Sequence, residues 1–255
     1  LHHGGRIVKV AAHPLGVDYQ AIQEKGDSDA GKEALNALEE RTAGRFVFVG
    51  IDRLDYTKGI PERLLAFRDF LRTYDDFVGK ATLVQLCVPS RADIQTYGNL
   101  RANVERLVGQ INGEFAKPGY TPIQYLYKSL PMEEVVALYK RANVALVTPL
   151  RDGLNLVCKE YVAAREDEDG VLILSELAGA AAEMGEAILV NPFDIKGLSH
   201  AMYQSAVMAG FERKRRMHHL RERVRKHDNR HWAKSLISGW NRLREVTSNK
   251  SQEIK

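Results

Sequence analysis

Cysteine is scarce. Only Cys87 and Cys158 occur in 255 residues, each alone among apolar or small neighbours. With no C-x-x-C pair, neither a disulfide framework nor a zinc site is indicated. A reducing compartment, the cytoplasm, fits this usage. No apolar run approaches the ~18 residues that mark a membrane helix, and no signal peptide is present, so no membrane partner is expected. Internal repeats and low-complexity segments are missing as well. Neither sign of charge dominates: 37 Lys plus Arg stand against 33 Asp plus Glu, a net charge of +4. The most basic stretch, Arg213 to Lys226, carries Met217, Leu220 and Val224 at helical spacing and has little aromatic interleaving for base stacking. It reads as the solvated face of an amphipathic helix, and no nucleic-acid partner is expected.

What is present is an ordinary globular composition, 44% hydrophobic, with room for one or two domains. The chain opens at Leu1 without an initiator Met and runs straight into His2-His3-Gly4-Gly5 and a strand-like Arg6 to Val10. That start reads as the middle of a longer protein. Residues 1–20 are expected to be a lead-in from a missing N-terminal domain, 21–246 the main domain and 247–255 a polar tail.

Short β-rich runs alternate with helical patterns. Strands are expected over Phe46 to Asp52, Ala81 to Val88, Ile123 to Tyr127, Val144 to Thr148, Val171 to Leu174 and Ile188 to Val190. Helices are expected over Gly59 to Tyr74, Asp93 to Phe115, Pro131 to Arg141 and Leu154 to Arg165, with an all-helical remainder after Pro192. Gly26 to Gly31 reads as a flexible connection. This alternation predicts an α/β fold, a Rossmann-like parallel sheet with helices on both faces. Ligands of such sheets bind at the carboxyl ends of the strands, which is where the chemistry is sought.

Two strand ends carry it. The first expected strand runs into Arg53-Leu54-Asp55-Tyr56-Thr57-Lys58-Gly59. Arg53 can grip a phosphate bidentately and Lys58 adds a point charge. Fixed cations there stabilise the charge that grows on a diphosphate leaving group. The bland alternative pairs Arg53 with Asp52 or Asp55. The fourth expected strand ends in Pro149-Leu150-Arg151-Asp152-Gly153-Leu154-Asn155-Leu156. Gly153 lets the backbone approach a ligand, and a helix starting near Leu154 would offer its N-terminus to phosphate. Glu160 is placed to reach ribose hydroxyls, and Asp152 to accept hydrogen bonds from a sugar. The bland alternative makes Asp152 a helix N-cap.

These segments resemble the trehalose-6-phosphate synthase family: Arg53 to Gly59, Thr148 to Val157 and Lys159-Glu160-Tyr161-Val162-Ala163. Pro89-Ser90-Arg91, Ile111-Asn112-Gly113, Tyr120-Thr121-Pro122, Ala178 to Ala181 and Asp228 to Trp232 are also similar. The resemblance covers nearly the whole chain. It implies the C-terminal, donor-binding half of a two-domain GT-B glycosyltransferase. Such an enzyme transfers glucose from a nucleotide-glucose donor, expected to be UDP-glucose, to glucose 6-phosphate with retention, and uses neither metal nor cofactor. By the same resemblance, Arg53 and Lys58 hold the donor diphosphate and Asp152 the glucose. Main chain at Gly153, Leu154, Asn155 and Leu156 contacts sugar and phosphate. Glu160 holds the ribose, main chain near Ser129 and Leu130 holds the base, and Arg91 reaches the acceptor phosphate. The expected route is front-face attack, the leaving phosphate taking the acceptor proton. Leu177, where an aromatic is common, and Cys158, where a small residue is usual, depart from the pattern without touching the expected chemistry.

Two rivals stand beside this reading. One is a glucosylglycerol-phosphate synthase-like transferase using glycerol 3-phosphate; the other is a non-catalytic nucleotide-sugar-binding module that keeps the nucleotide site as a sensor or partner subunit. Asp27-Ser28-Asp29 matches the D-x-D pattern of metal-dependent transferases but reads as a solvated linker, and adjacent His218 and His219 face apart on a helix.

Overall fold

The computed structural model describes residues 2–3, 6–7, 10–90 and 95–252. Six parallel strands form the central sheet: β1 (Phe46–Arg53), β2 (Ala81–Val88), β3 (Ile123–Tyr127), β4 (Val144–Val147), β5 (Val171–Ser175) and β6 (Ile188–Val190). Their spatial order is β3-β2-β1-β4-β5-β6. A separate antiparallel pair joins His2–His3 to Arg6–Ile7.

The strands are nearly continuous apolar runs because both sheet faces are covered. Alternation then sorts neighbouring residues to opposite sides. Val47, Val49 and Ile51 of β1 belong to one core, with residues of helices α1 (Tyr19–Asp27), α5 (Met132–Arg141), α6 (Val157–Ala164) and α8 (Gly210–Lys226). Phe48 belongs to the other, with α3 (Ile60–Thr73), α4 (Gln95–Phe115) and α7 (Ile195–Val207). Pro61 sits in the first turn of α3, where its missing N–H costs nothing. Met217, Leu220 and Val224 are the buried stripe of α8, whose basic side chains pair largely with Glu212, Glu222, Glu168 and Asp169.

Two local readings change. The segment from Gly26 to Gly31 is no loose connection: α1 ends at Asp27 and α2 (Asp29–Arg41) begins at once. Ser28 closes the corner, its Oγ accepting from Gly31 N at 3.1 Å. Gly31 is needed for contact, since a Cβ there would lie 2.4 Å from the Lys25 carbonyl oxygen, while Gly26 lets the Lys140 side chain approach, a Cβ there falling 2.7 Å from its Cε. Asp27 is paired with Lys140 at 3.0 Å. The second change is the start of α6, at Val157 and not near Leu154. Asn155 explains it: its φ of +78° is left-handed and interrupts the helix.

The final helix α9 (Asn229–Gln252) returns to the beginning of the chain. Trp232 Nε1 donates to the His13 carbonyl at 3.1 Å, and Asn229 N to the Val17 carbonyl at 3.0 Å. Lys159, buried in α6, donates to the Leu15 carbonyl at 3.0 Å and meets Glu183 at 3.2 Å. Residues 13–17 of the lead-in are therefore packed against the same body as the sheet. Among the described residues, no helix is long and apolar enough to cross a membrane.

Candidate functional site

The strand order reverses at β1 and β4, since β1 leads on to β2 on one side and β4 to β5 on the other. A crevice opens at such a switch point, at the carboxyl ends of the two strands. Arg53 ends β1 and Lys58 follows it; the loop 148–156 follows β4. The fold thus brings together two segments that lie about ninety residues apart in sequence.

They meet directly. Lys58 Nζ donates to Asp152 Oδ2 at 2.6 Å, and both side chains are 16% exposed. Backbone contacts reinforce the junction: Leu150 N and Arg151 N both donate to the Thr57 carbonyl, at 2.7 and 3.2 Å. Gly59 has φ +64°, and a Cβ there would fall 2.3 Å from the Thr148 carbonyl oxygen. Partial burial would raise the Asp152 carboxyl, but Lys58, the Leu154 amide and Asn155 Nδ2 outweigh it and hold the acid below the usual aspartate range. Asp152 is therefore an ionised group facing the crevice.

The bland alternatives do not occur. Asp52 is taken by Arg63 at 2.6 Å, and Asp55 accepts from Thr57 N and Oγ1 at 2.8 Å and from Tyr97 at 3.3 Å. Arg53 is exposed at the end of β1 and has no ion-pair partner among the described residues. Nor does Asp152 cap α6. Asn155 does, its Oδ1 accepting from Cys158 N at 3.1 Å. The Asp152 carboxylate instead receives Leu154 N at 3.3 Å and Asn155 Nδ2 at 3.1 Å, so the loop folds around it.

Glu160 lies one turn into α6. Burial pushes its carboxyl above the usual glutamate range, against the pull of the Tyr139 hydroxyl, which donates to Oε2 at 2.9 Å. Its side chain lines a cleft with Asp18, Met132 and Leu156. Ser129 is exposed and Leu130 half-buried just before α5, and Leu130 lines a separate groove with Ala34, Leu38 and Pro131, not the cleft of Glu160. Arg91 lies outside the described residues. Both cysteine thiols are buried and pushed up to about 12 by it, so neither is a ready nucleophile. No cluster of three or more acidic, His or Cys side chains is grouped as a metal site among the described residues.

Two features went unread in the sequence. The small-residue run after β5 packs onto the Asp152 loop: Gly179 N donates to the Asp152 carbonyl at 3.0 Å and Ala180 N to the Leu154 carbonyl at 2.8 Å. A Cβ on Gly179 would sit 2.1 Å from the Gly153 carbonyl oxygen. Leu177 and Cys158 are consequently closer to the site than expected, for Leu177 gives its carbonyl to Asp152 N at 3.4 Å and Cys158 Sγ donates to the Asn155 carbonyl at 3.2 Å. The other feature is Arg63, a buried cation under the crevice. Its signal was present: Ile60, Arg63, Leu64, Phe67 and Leu71 share one helical face, and Arg is the odd member of that stripe.

The family model for glycosyltransferase family 20 matches residues 1–242. An alpha,alpha-trehalose-phosphate synthase (UDP-forming) from Schizosaccharomyces pombe is 40% identical over 247 residues, which is 97% of this chain and 48% of that protein. The crystal structure of alpha,alpha-trehalose 6-phosphate synthase from Burkholderia multivorans superposes with a TM-score of 0.92 at 39% identity, over 100% of this chain and 54% of that one. A UDP-forming synthase from Burkholderia xenovorans, in complex with glucose-6-phosphate, gives 0.89 at 36% identity, over 93% and 53%. The chain spans about half the length of these relatives.

Proposed function

The chain belongs to glycosyltransferase family 20, and from that premise we propose that it is the donor-binding half of a GT-B transferase that moves glucose from UDP-glucose to glucose 6-phosphate. The observation that carries the reading is the Lys58–Asp152 pair at the switch point, a cation and an ionised acid side by side at the carboxyl ends of β1 and β4. A nucleotide sugar asks for that combination: positive charge for its diphosphate and a hydrogen-bond acceptor for its sugar hydroxyls. Relatives of this chain are named as UDP-forming, and one is bound to glucose-6-phosphate.

In this proposal Arg53 and Lys58 hold the diphosphate and the main chain at Gly153, Leu154, Asn155 and Leu156 lies along phosphate and sugar. Asp152 accepts from glucose hydroxyls, kept ionised and aimed by Lys58 and Asn155. Glu160 receives ribose hydroxyls through the oxygen that Tyr139 does not use. The base lies against the main chain at Ser129 and Leu130, and Arg91 meets the acceptor phosphate. The bond from the anomeric carbon to the diphosphate breaks, a bond to the acceptor hydroxyl oxygen forms on the same face, and the acceptor proton passes to the departing phosphate. The protein contributes orientation and cationic stabilisation of the leaving group, with no metal required.

Calorimetric titration with UDP-glucose, ADP-glucose and GDP-glucose, alongside Arg53→Ala, tests the donor. Arg53-dependent binding of UDP-glucose is expected. Turnover of the complete two-domain enzyme with glucose 6-phosphate against glycerol 3-phosphate then tests the acceptor. If Arg53→Ala binds and turns over UDP-glucose as the parent does, the diphosphate role is wrong.

A further inference from the structure

Arg63 is 0% exposed and is the largest fully buried side chain of the molecule's described part. Its guanidinium reaches four elements at once. Nη1 donates to Asp52 Oδ2 on β1 at 2.6 Å and to Gln85 Oε1 on β2 at 3.0 Å. Nε donates to Thr148 Oγ1, at the end of β4, at 3.1 Å. Nη2 lies 3.4 Å from the carbonyl of Lys58 itself. Gly50 makes the space: a Cβ there would fall 2.5 Å from both Arg63 Nη1 and Gln85 Oε1.

Stability is a weak reason for such a group. A buried ion pair recovers its desolvation cost only with good geometry, and apolar residues of similar volume often serve as well. A guanidinium offers something apolar residues cannot, five donors in a rigid planar fork. Here Nε and Nη2 end on the two loops that form the crevice, and Nη1 ends on β1 and on β2 beside it. Thr148 precedes the turn that carries Asp152, and the Lys58 carbonyl belongs to the residue that pairs with Asp152. We infer that Arg63 is a positioning residue: from below the crevice it sets the register of the β1 and β4 loops, and so the placement of Lys58 against Asp152 for a nucleotide-sugar diphosphate. The inference rests on the proposed donor role of that pair.

The test uses Arg63→Lys, which keeps the charge without the fork, and Asp52→Leu/Arg63→Met, which removes the buried pair together. Amide exchange is read at Leu150 and Arg151, whose N–H groups bond to Thr57 across the crevice, and in β1, β2 and β4. Kinetics with UDP-glucose and glucose 6-phosphate are read on the same variants in the complete two-domain enzyme. Faster exchange confined to Leu150 and Arg151 is expected, with kcat/KM for the donor down roughly tenfold to hundredfold, the cost of a small misplacement, and KM for the acceptor unchanged. Exchange that rises uniformly through the sheet, or not at all, overturns the inference, as does an unchanged kcat/KM for the donor in both variants. If the parent two-domain enzyme transfers no glucose, the proposed function fails while the exchange measurement still decides the role of Arg63.

Discussion

Lys58 and Asp152 illustrate how a pair can be both a structural contact and a binding device. Each is largely but not fully buried, so the pair stands between the exposed and the fully buried case. Lys58→Met is expected to destabilise the fold by about 1–3 kcal/mol at neutral pH, intermediate between those limits. The sign with pH follows from Asp152. Its folded carboxyl is depressed, so the stabilisation is present above the ordinary aspartate range and is lost as pH falls through the folded value. Urea unfolding of parent and variant from neutral to acid pH should show the two curves converging. Glu160 has the opposite sign. Burial raises its carboxyl, so ionisation weakens the fold as pH rises through the folded value. Glu160→Gln should therefore stabilise the free protein at neutral pH, the gain fading in acid, while weakening nucleotide-sugar binding by roughly 1.5–3 kcal/mol if the carboxylate holds ribose. Thermal unfolding and calorimetry on one sample separate the two effects. The residue types at Lys58, Asp152 and Glu160 were legible as chemistry; that Lys58 and Asp152 touch was not, because nothing local links segments so far apart.

Among the elements, the turn into α3 and the loop into α6 are the strained parts. Gly59→Ala meets both a left-handed backbone and the Thr148 carbonyl, so it should cost at least ~1–2 kcal/mol from the backbone alone. Gly153 differs: a Cβ there meets nothing within 4 Å. Gly153→Ala should leave the melting temperature nearly unchanged, and any loss should appear in donor affinity. Asn155→Ala removes the α6 cap and leaves Ala in a left-handed conformation, a loss of about 2 kcal/mol; Asn155→Gly should lose less, and chemical denaturation of the two variants beside the parent orders them. The expected α6 began at Leu154 because apolar spacing continues through Leu154 and Leu156. Spacing carries no record of a positive φ, and the side chain that sets the boundary is a capping Asn inside the apparent run. The corner at Ser28 was misread for a related reason. Its glycines look like flexibility in sequence, yet here they allow two helices and Lys140 to approach closely.

For the molecule as a whole, residues 13–18 and the start of the last helix are held together. Gly16 lies where a Cβ would fall 2.3 Å from the His227 carbonyl oxygen and from the Asp228 carbonyl carbon. Gly16→Val should push residues 13–18 off α9, and limited proteolysis should then cleave there sooner while the sheet stays intact. Such long-range closure rests on backbone approach, which composition and periodicity do not encode. The sequence by itself determined the alternation of strands and helices, the two-sided burial of the sheet and the chemical types at the two strand ends, because these follow from local pattern and side-chain chemistry. Tertiary structure alone decided that β1 and β4 are neighbours, that Lys58 meets Asp152, that Asn155 and not Asp152 caps α6, and that Arg63 lies beneath them all. Those contacts depend on strand order and on distances between residues remote in the chain, and are set only when the sheet is assembled.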